Sequence, residues 1–161
     1  MQKRKNIRLK EYDYSEAGYY FVAFCTKDMK QTLGAVRTPD VGTDALGRPY
    51  VELTPLGKCV DETIQIANKG NVRIDKYVIM PNHIHIIIVL EHTEDGRGRP
   101  SLQTVVSSIK SYVTKWAKQP VWQGRFHEHI IRNQASYEKI WNYIDTNPEK
   151  WDEDCYFGGA A

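Results

Sequence analysis

The apolar positions of this chain fall into two periods. "GYYFVAFCTK" (18–27) is dense in aromatic and β-branched residues and predicts a strand. "MKQTLGAV" and "RPYVELT" predict a short hairpin-like excursion around the turn residues of "RTPDVGTDALGRP". In 54–70, Leu56, Val60, Ile64 and Ala67 recur at helical spacing. Thr54 can cap that helix, Pro55 suits its first turn and Gly70 ends it. Residues 71–80 alternate through Val72, Ile74, Lys76, Val78 and Met80, and "HIHIIIVL" follows after "PN". A second helix spans 101–119, with Ser101 as cap and a stripe of Leu102, Val105, Val106, Ile109, Val113 and Trp116. "GRFHEHIIR" (124–132) predicts a further strand. The last helix starts at Ser136, and Pro148 should end it near Asn147.

The order β, α, β, β, α, β, α predicts an α+β fold of the ferredoxin-like, split βαβ kind. The helices would lie on one face of the sheet, and the last helix is an addition at the C-terminus. No internal repeat or linker divides the 161 residues, enough for one domain with a core. This fold hosts many functions, so chemistry must come from particular side chains.

The strand after "PN" carries that chemistry. His83 and His85 are two apart, so they share one face, and Ile84, Ile86, Ile88 and Leu90 take the other. Two imidazoles about 7 Å apart along a strand can converge on a divalent cation. They can equally be polar residues of an exposed sheet face, and a metal site needs a third ligand. On the last helix Tyr143 and Asn147 are one turn apart. A phenol beside a cation is biased towards the phenolate, the form that attacks phosphorus, and an amide oxygen is a hard donor suited to Mg²⁺ or Mn²⁺. Tyr143 is otherwise one core aromatic among 10 tyrosines.

Composition narrows the setting. Apolar residues make up 41% and aromatics 11%, a globular balance. The apolar run ending at Leu90 is too short to cross a bilayer, and no apolar segment follows the basic start "MQKRKNIRLK". Cys25, Cys59 and Cys155 are scattered, form no C-x-x-C pair and suit a reducing cytoplasm. Net charge is only +2, but Arg4, Arg8 and Lys10 cluster at the start, and Arg97, Arg99 and Lys110 follow later. Such clusters fit a phosphate backbone, although charge alone also fits a solvated face.

The sequence resembles the REP-associated tyrosine transposases of the IS200-like, single-tyrosine HUH transposase family. The matching stretches are "IRLKEYDYSEAGYYFVAFCTKD", "VIMPNHIHIIIVL", "GRGRPSLQTVVSSIKSYVTKWA", "WQGRFHEHIIRN" and "YIDTNPEKW", in order over most of the chain. "MPNHIH" and "YIxxNP" at this separation carry most of the weight. The resemblance implies that His83 and His85 bind a divalent metal, Mg²⁺ or Mn²⁺, that Asn147 completes the site, and that Tyr143 is the nucleophile. It implies a substrate of single-stranded DNA with a hairpin, cut through a 5′-phosphotyrosine link and rejoined by a 3′-hydroxyl. One domain would then run from 1 to 161, with a basic arm (1–17), the tyrosine helix (136–147) and a tail (148–161), in the cytoplasm at the nucleoid, as a monomer or homodimer.

Arg4, Arg8, Lys10, Arg97, Arg99 and Lys110 would hold hairpin phosphates, and Tyr19, Trp122 or Phe126 could stack bases or pack in the core. In the second H-x-H, His129 is a near-site candidate and His127 a surface residue; the resemblance makes neither a ligand. A two-histidine phosphoesterase would need two H-x-[ST] motifs, which are absent, and an amidohydrolase barrel needs about 250 residues. A ferredoxin-like RNA binder would show its aromatic strand motif, also absent. The remaining alternative is a domesticated, binding-only hairpin protein.

Overall fold

The computed structural model describes residues 17–39, 47–94 and 98–153. Arg4, Arg8, Lys10, Arg97 and Cys155 lie outside them. The elements run β1 (Gly18–Thr26), β2 (Gly34–Arg37), β3 (Tyr50–Leu53), α1 (Pro55–Ala67), β4 (Val72–Ile79), β5 (His83–Leu90), α2 (Leu102–Ala117), β6 (Trp122–Ile131) and α3 (Gln134–Asp145). β4, β5, β1 and β6 form one antiparallel sheet in that spatial order. Counting those four strands by sequence, the order is 2-3-1-4, the split βαβ arrangement. The β2–β3 hairpin stands apart as a two-stranded sheet.

Local chemistry sets the helix starts. Thr54 accepts from the Gly57 amide at 3.1 Å, and Ser101 accepts from the Thr104 amide at 3.2 Å, each satisfying a first-turn donor. α3 begins two residues before the expected Ser136, because Asn133 is its cap and accepts from the Ser136 amide at 2.8 Å. α2 stops where Lys118 turns left-handed, at φ 56°. Gly57 lets α1 lie directly on the backbone of Leu33; a Cβ there would collide with the Leu33 carbonyl oxygen.

The sheet has two covered faces. On one, Tyr20, Val22 and Phe24 of β1 and Ile84, Ile86, Ile88 and Leu90 of β5 pack against α1 and α2, as alternation predicts. On the other, Ile87 and Val89 pack with Ile131 against Tyr137, Ile140, Trp141 and Ile144 of α3. Every residue of β5 is therefore buried. Each fully buried isoleucine contributes on the order of 2 kcal/mol of apolar transfer.

β4 departs from the expected pattern. Its pairing shifts between Ile74, opposite Ile88, and Lys76, opposite Ile87. The bulge at Asp75 flips the strand, so Val72 and Ile74 face α1 and α2 whereas Lys76 and Val78 face α3. The five residues expected on one face are thus split between two. The same bulge aims two charges at α3. Asp75 accepts from the Tyr137 hydroxyl at 2.9 Å, and Lys76 donates to Asp145 at 2.8 Å while lying 4.0 Å from the Trp141 ring centroid. Arg48 also donates to Asp145, at 3.2 Å.

Candidate active site

His83 and His85 open β5 on the face that α3 covers. The reading of them as polar residues on an open sheet face does not hold: His83 is 0% and His85 2% exposed. Their ring centroids are 4.5 Å apart at an interplanar angle of 71°. Aromatic walls hold both rings. Phe21, from β1, stacks on His85 at 5.4 Å, and Trp151 stacks on His83 at 6.1 Å. Burial, first, then His83 and His127, holds the His85 pKa well below the ordinary imidazole value. The neutral ring that results is the form a metal needs.

α3 brings Tyr143 to the same place. Its hydroxyl lies 3.4 Å from His85 Nε2, and its ring stands edge-on to Phe21 at 6.3 Å. Tyr143 as a whole is 41% exposed. The helix ends at Asp145, earlier than expected, and Asn147 begins a 3₁₀ turn, Asn147–Glu153. Asn147 is 2% exposed, and its side-chain Oδ1 has no hydrogen-bond partner. A buried acceptor left so costs about 1–3 kcal/mol unless something else binds it. Residues 148–153, expected as tail, belong to this turn and deliver Trp151 to His83.

Two buried imidazoles and an orphaned amide oxygen are a donor set that suits a divalent cation with mixed nitrogen and oxygen preference. Among the described residues no group of three or more His, Cys, Asp or Glu side chains is placed to hold a metal ion.

The other sequence candidates fall in different places. Ala23 is opposite His85 on one side and His127 on the other, so those two imidazoles share a row across the sheet with only a methyl group between them. His129 is one step further along, opposite Phe21, and both are exposed. His127, rather than His129, is the one in line with the site. Lys110 is on α2, behind the sheet; it is half-buried, donates to the Gln123 carbonyl at 2.7 Å, and burial lowers its pKa. It holds β6 rather than facing the histidines. Arg99 donates to the Glu91 carbonyl at 3.0 Å, at the opposite end of β5 from His83.

The aromatics sort similarly. Trp122 packs on Phe24 at 5.0 Å and donates to the Lys110 carbonyl, and Phe126 joins the same core, so both are structural. Tyr19 lies edge-on to Tyr137 at 5.7 Å, with Arg73 over its ring. Phe21, Trp151 and Asn82, whose Oδ1 lies 2.8 Å from His83 Nδ1, escape the sequence reading. For Phe21 the signal was present: alternation from Tyr20, Val22 and Phe24 puts it on the opposite face, with the histidines.

A buried two-histidine pair facing one tyrosine, on a four-stranded antiparallel sheet, defines the class of site. No family model matches the chain. An uncharacterised protein of Haemophilus influenzae is 33% identical over 172 residues, covering 94% of this chain and 91% of that protein. The REP-associated tyrosine transposase of Escherichia coli K12 is 31% identical over 87 residues, covering 54% of this chain but only 50% of that protein. A solved structure of a REP-associated tyrosine transposase bound to a REP hairpin has a TM-score of 0.62 at 22% identity, over 89% of this chain and 73% of that one, and shares its fold. The chain is thus similar to a REP-associated tyrosine transposase over about half of its length and shares the fold of a solved one. Among the described residues no helix is long and apolar enough to cross a membrane.

Proposed function

We propose that this protein is a metal-dependent endonuclease and strand transferase of single-stranded DNA carrying a hairpin, with Tyr143 as nucleophile. The observation that carries the reading is the hydroxyl of Tyr143, a partly exposed residue, 3.4 Å from Nε2 of buried His85. Similarity to the Escherichia coli transposase supports the transposase class, and the hairpin bound by the solved structure of the same fold supports the substrate.

In this reading a divalent ion, when bound, supplies positive charge to the scissile phosphate and lowers the pKa of the neighbouring phenol. The chain's own residues do the rest. His83, His85 and Asn147 would hold the ion, with Phe21 stacked on the His85 ring and Trp151 on the His83 ring to orient them. Tyr143 comes from a helix clamped to β4, which holds its oxygen beside His85. Its Oη forms a bond to phosphorus and the P–O3′ bond breaks. The phenolic proton ends on the 3′-oxygen. The 5′-phosphotyrosine keeps the energy of the broken phosphodiester, so attack by a 3′-hydroxyl rejoins strands without a further energy source. His127 and His129 line the exposed side of the face, where the strand would lie.

The test is a denaturing gel of end-labelled hairpin oligonucleotides, from palindromes flanking the gene, incubated with Mn²⁺. Wild-type protein should give a covalent protein–DNA band. Tyr143→Phe should lose the band while keeping hairpin affinity within about twofold, since the hydroxyl is needed only in the chemical step. A band that persists in Tyr143→Phe would remove Tyr143 from its role. Tight binding with no cleavage by wild type would leave a hairpin-binding protein without turnover.

A further inference from the structure

The turn between β4 and β5 is built around Asn82, which is fully buried. Its amide group meets both Met29 and His83. Nδ2 donates to the Met29 carbonyl at 3.3 Å, and Oδ1 lies 2.8 Å from Nδ1 of His83. Its backbone carbonyl accepts from the Thr26 amide at 3.0 Å and stands 3.2 Å from the Thr26 hydroxyl. Asn82 therefore touches the end of β1, the turn after it and the first histidine of β5.

These contacts determine a proton position. A carbonyl oxygen only accepts, so the group facing Met29 must be the NH₂ and the group facing His83 must be the amide oxygen. That oxygen can likewise only accept. The proton between Asn82 and His83 must then belong to Nδ1 of the imidazole. A neutral imidazole protonated on Nδ1 carries its lone pair on Nε2. Rotating the amide by 180° would set two oxygens against each other at Met29 and an NH₂ against the ring.

The second contact has its own signature. Asp28 and Met29 both adopt left-handed backbone, at φ 58° and 56°. Such geometry is costly for residues with a Cβ and persists only where neighbouring contacts over-determine it. Asn82 Nδ2 at the Met29 carbonyl is one of those contacts, and the Thr26 hydroxyl at the Lys30 carbonyl, 2.7 Å away, is another.

We infer that Asn82 is a positioning residue that locks His83 in the Nδ1–H tautomer, presenting the Nε2 lone pair as the metal-binding nitrogen and anchoring the ring to the left-handed turn after β1. The tautomer stands on hydrogen-bond chemistry alone. Only the use of Nε2 rests on the metal reading above.

Long-range ¹H–¹⁵N correlation spectra of metal-free, histidine-labelled protein read the tautomer directly, with the His83 ring assigned by its loss in His83→Gln. The expected spectrum has a protonated Nδ1 and a bare Nε2 for His83. Asn82→Asp keeps the acceptor oxygen for Nδ1 but sets an oxygen against the Met29 carbonyl, so it should retain the Nδ1–H signal at a lower thermal stability. Asn82→Ala should let the ring leave that tautomer, and Mn²⁺ titrated by calorimetry should bind about tenfold to a hundredfold more weakly, the usual size of a lost orienting partner. A wild-type His83 protonated on Nε2 overturns the inference, even if Asn82→Ala does not fold. So does an unchanged His83 tautomer in a folded Asn82→Ala. A wild-type protein with the Nδ1–H ring that nevertheless binds no Mn²⁺ would support the tautomer lock and overturn the metal reading.

Discussion

The side chain of Asn147 combines two properties that rarely occur together without a purpose. It is almost completely buried, and its Oδ1 makes no hydrogen bond. Stability and metal affinity should therefore respond differently to its removal. Asn147→Ala costs the fold no hydrogen bond at that oxygen, so the thermal midpoint should move by only a few degrees. Mn²⁺ affinity by calorimetry should fall by about tenfold or more, the size expected for the loss of a contact that supports a metal site. Equal affinity in the variant would remove Asn147 from the cage. At this scale the sequence showed the pairs that are close along the chain. His83 and His85 follow from strand alternation, whereas the helical spacing expected of Tyr143 and Asn147 stops short, because α3 ends at Asp145 and Asn147 opens the next turn. It did not show Trp151 on His83, because that contact crosses from one element to another and has no period. Lys110 misled for a related reason: a lysine on a helix can run its apolar stem inward and use its ammonium on a carbonyl, with no mark in the sequence.

At the scale of elements, the precision of the site depends on how α3 is held. Three kinds of contact hold it: Ile144 with Ile140 and Trp141 on Ile87 and Val89, the Tyr137–Asp75 hydrogen bond, and the Lys76–Asp145 pair. The ion pair is partly solvated and worth up to about 1 kcal/mol, so apolar burial dominates. Ile144→Ala should cost about 2–5 kcal/mol in urea unfolding. Covalent-complex formation should fall by more than the unfolded fraction explains, because the same side chain neighbours Tyr143 and sets its helix. A drop in activity that merely tracks the unfolded fraction would mean that the helix position does not limit the reaction. The strands and helices themselves were legible within about two residues. The bulge at Asp75 was not, since an uninterrupted alternation looks the same whether or not one residue is unpaired. Without that bulge, alternation would leave Asp75 toward α3 but turn Lys76 to the α1 and α2 face, so the unseen irregularity is what lets both residues hold the tyrosine helix.

On the scale of the whole molecule, the sheet separates two tasks. α1 and α2 cover one face and build the main core, while α3 covers the histidine face and completes the site. The order of elements announced the split βαβ sheet, but left open the face that the added helix would take. Ile87 and Val89 carry that information: a strand apolar on both sides needs a cover on both, and α3 is the element that remains. The consequence concerns which chain supplies the nucleophile. Tyr143 here stands against His85 of its own chain, 3.4 Å away, on a helix fixed by contacts within that chain. A site so built should work without a second copy. When Tyr143→Phe protein is mixed with His83→Ala,His85→Ala protein, neither chain has a complete site, and no covalent DNA band should appear at any ratio. Wild-type single-turnover rates should also be independent of protein concentration once the DNA is saturated. If the mixture restores the band, the tyrosine of one chain must act on the histidines of another. The α3 contacts to β4 would then have to open and re-form between copies before the DNA is cut.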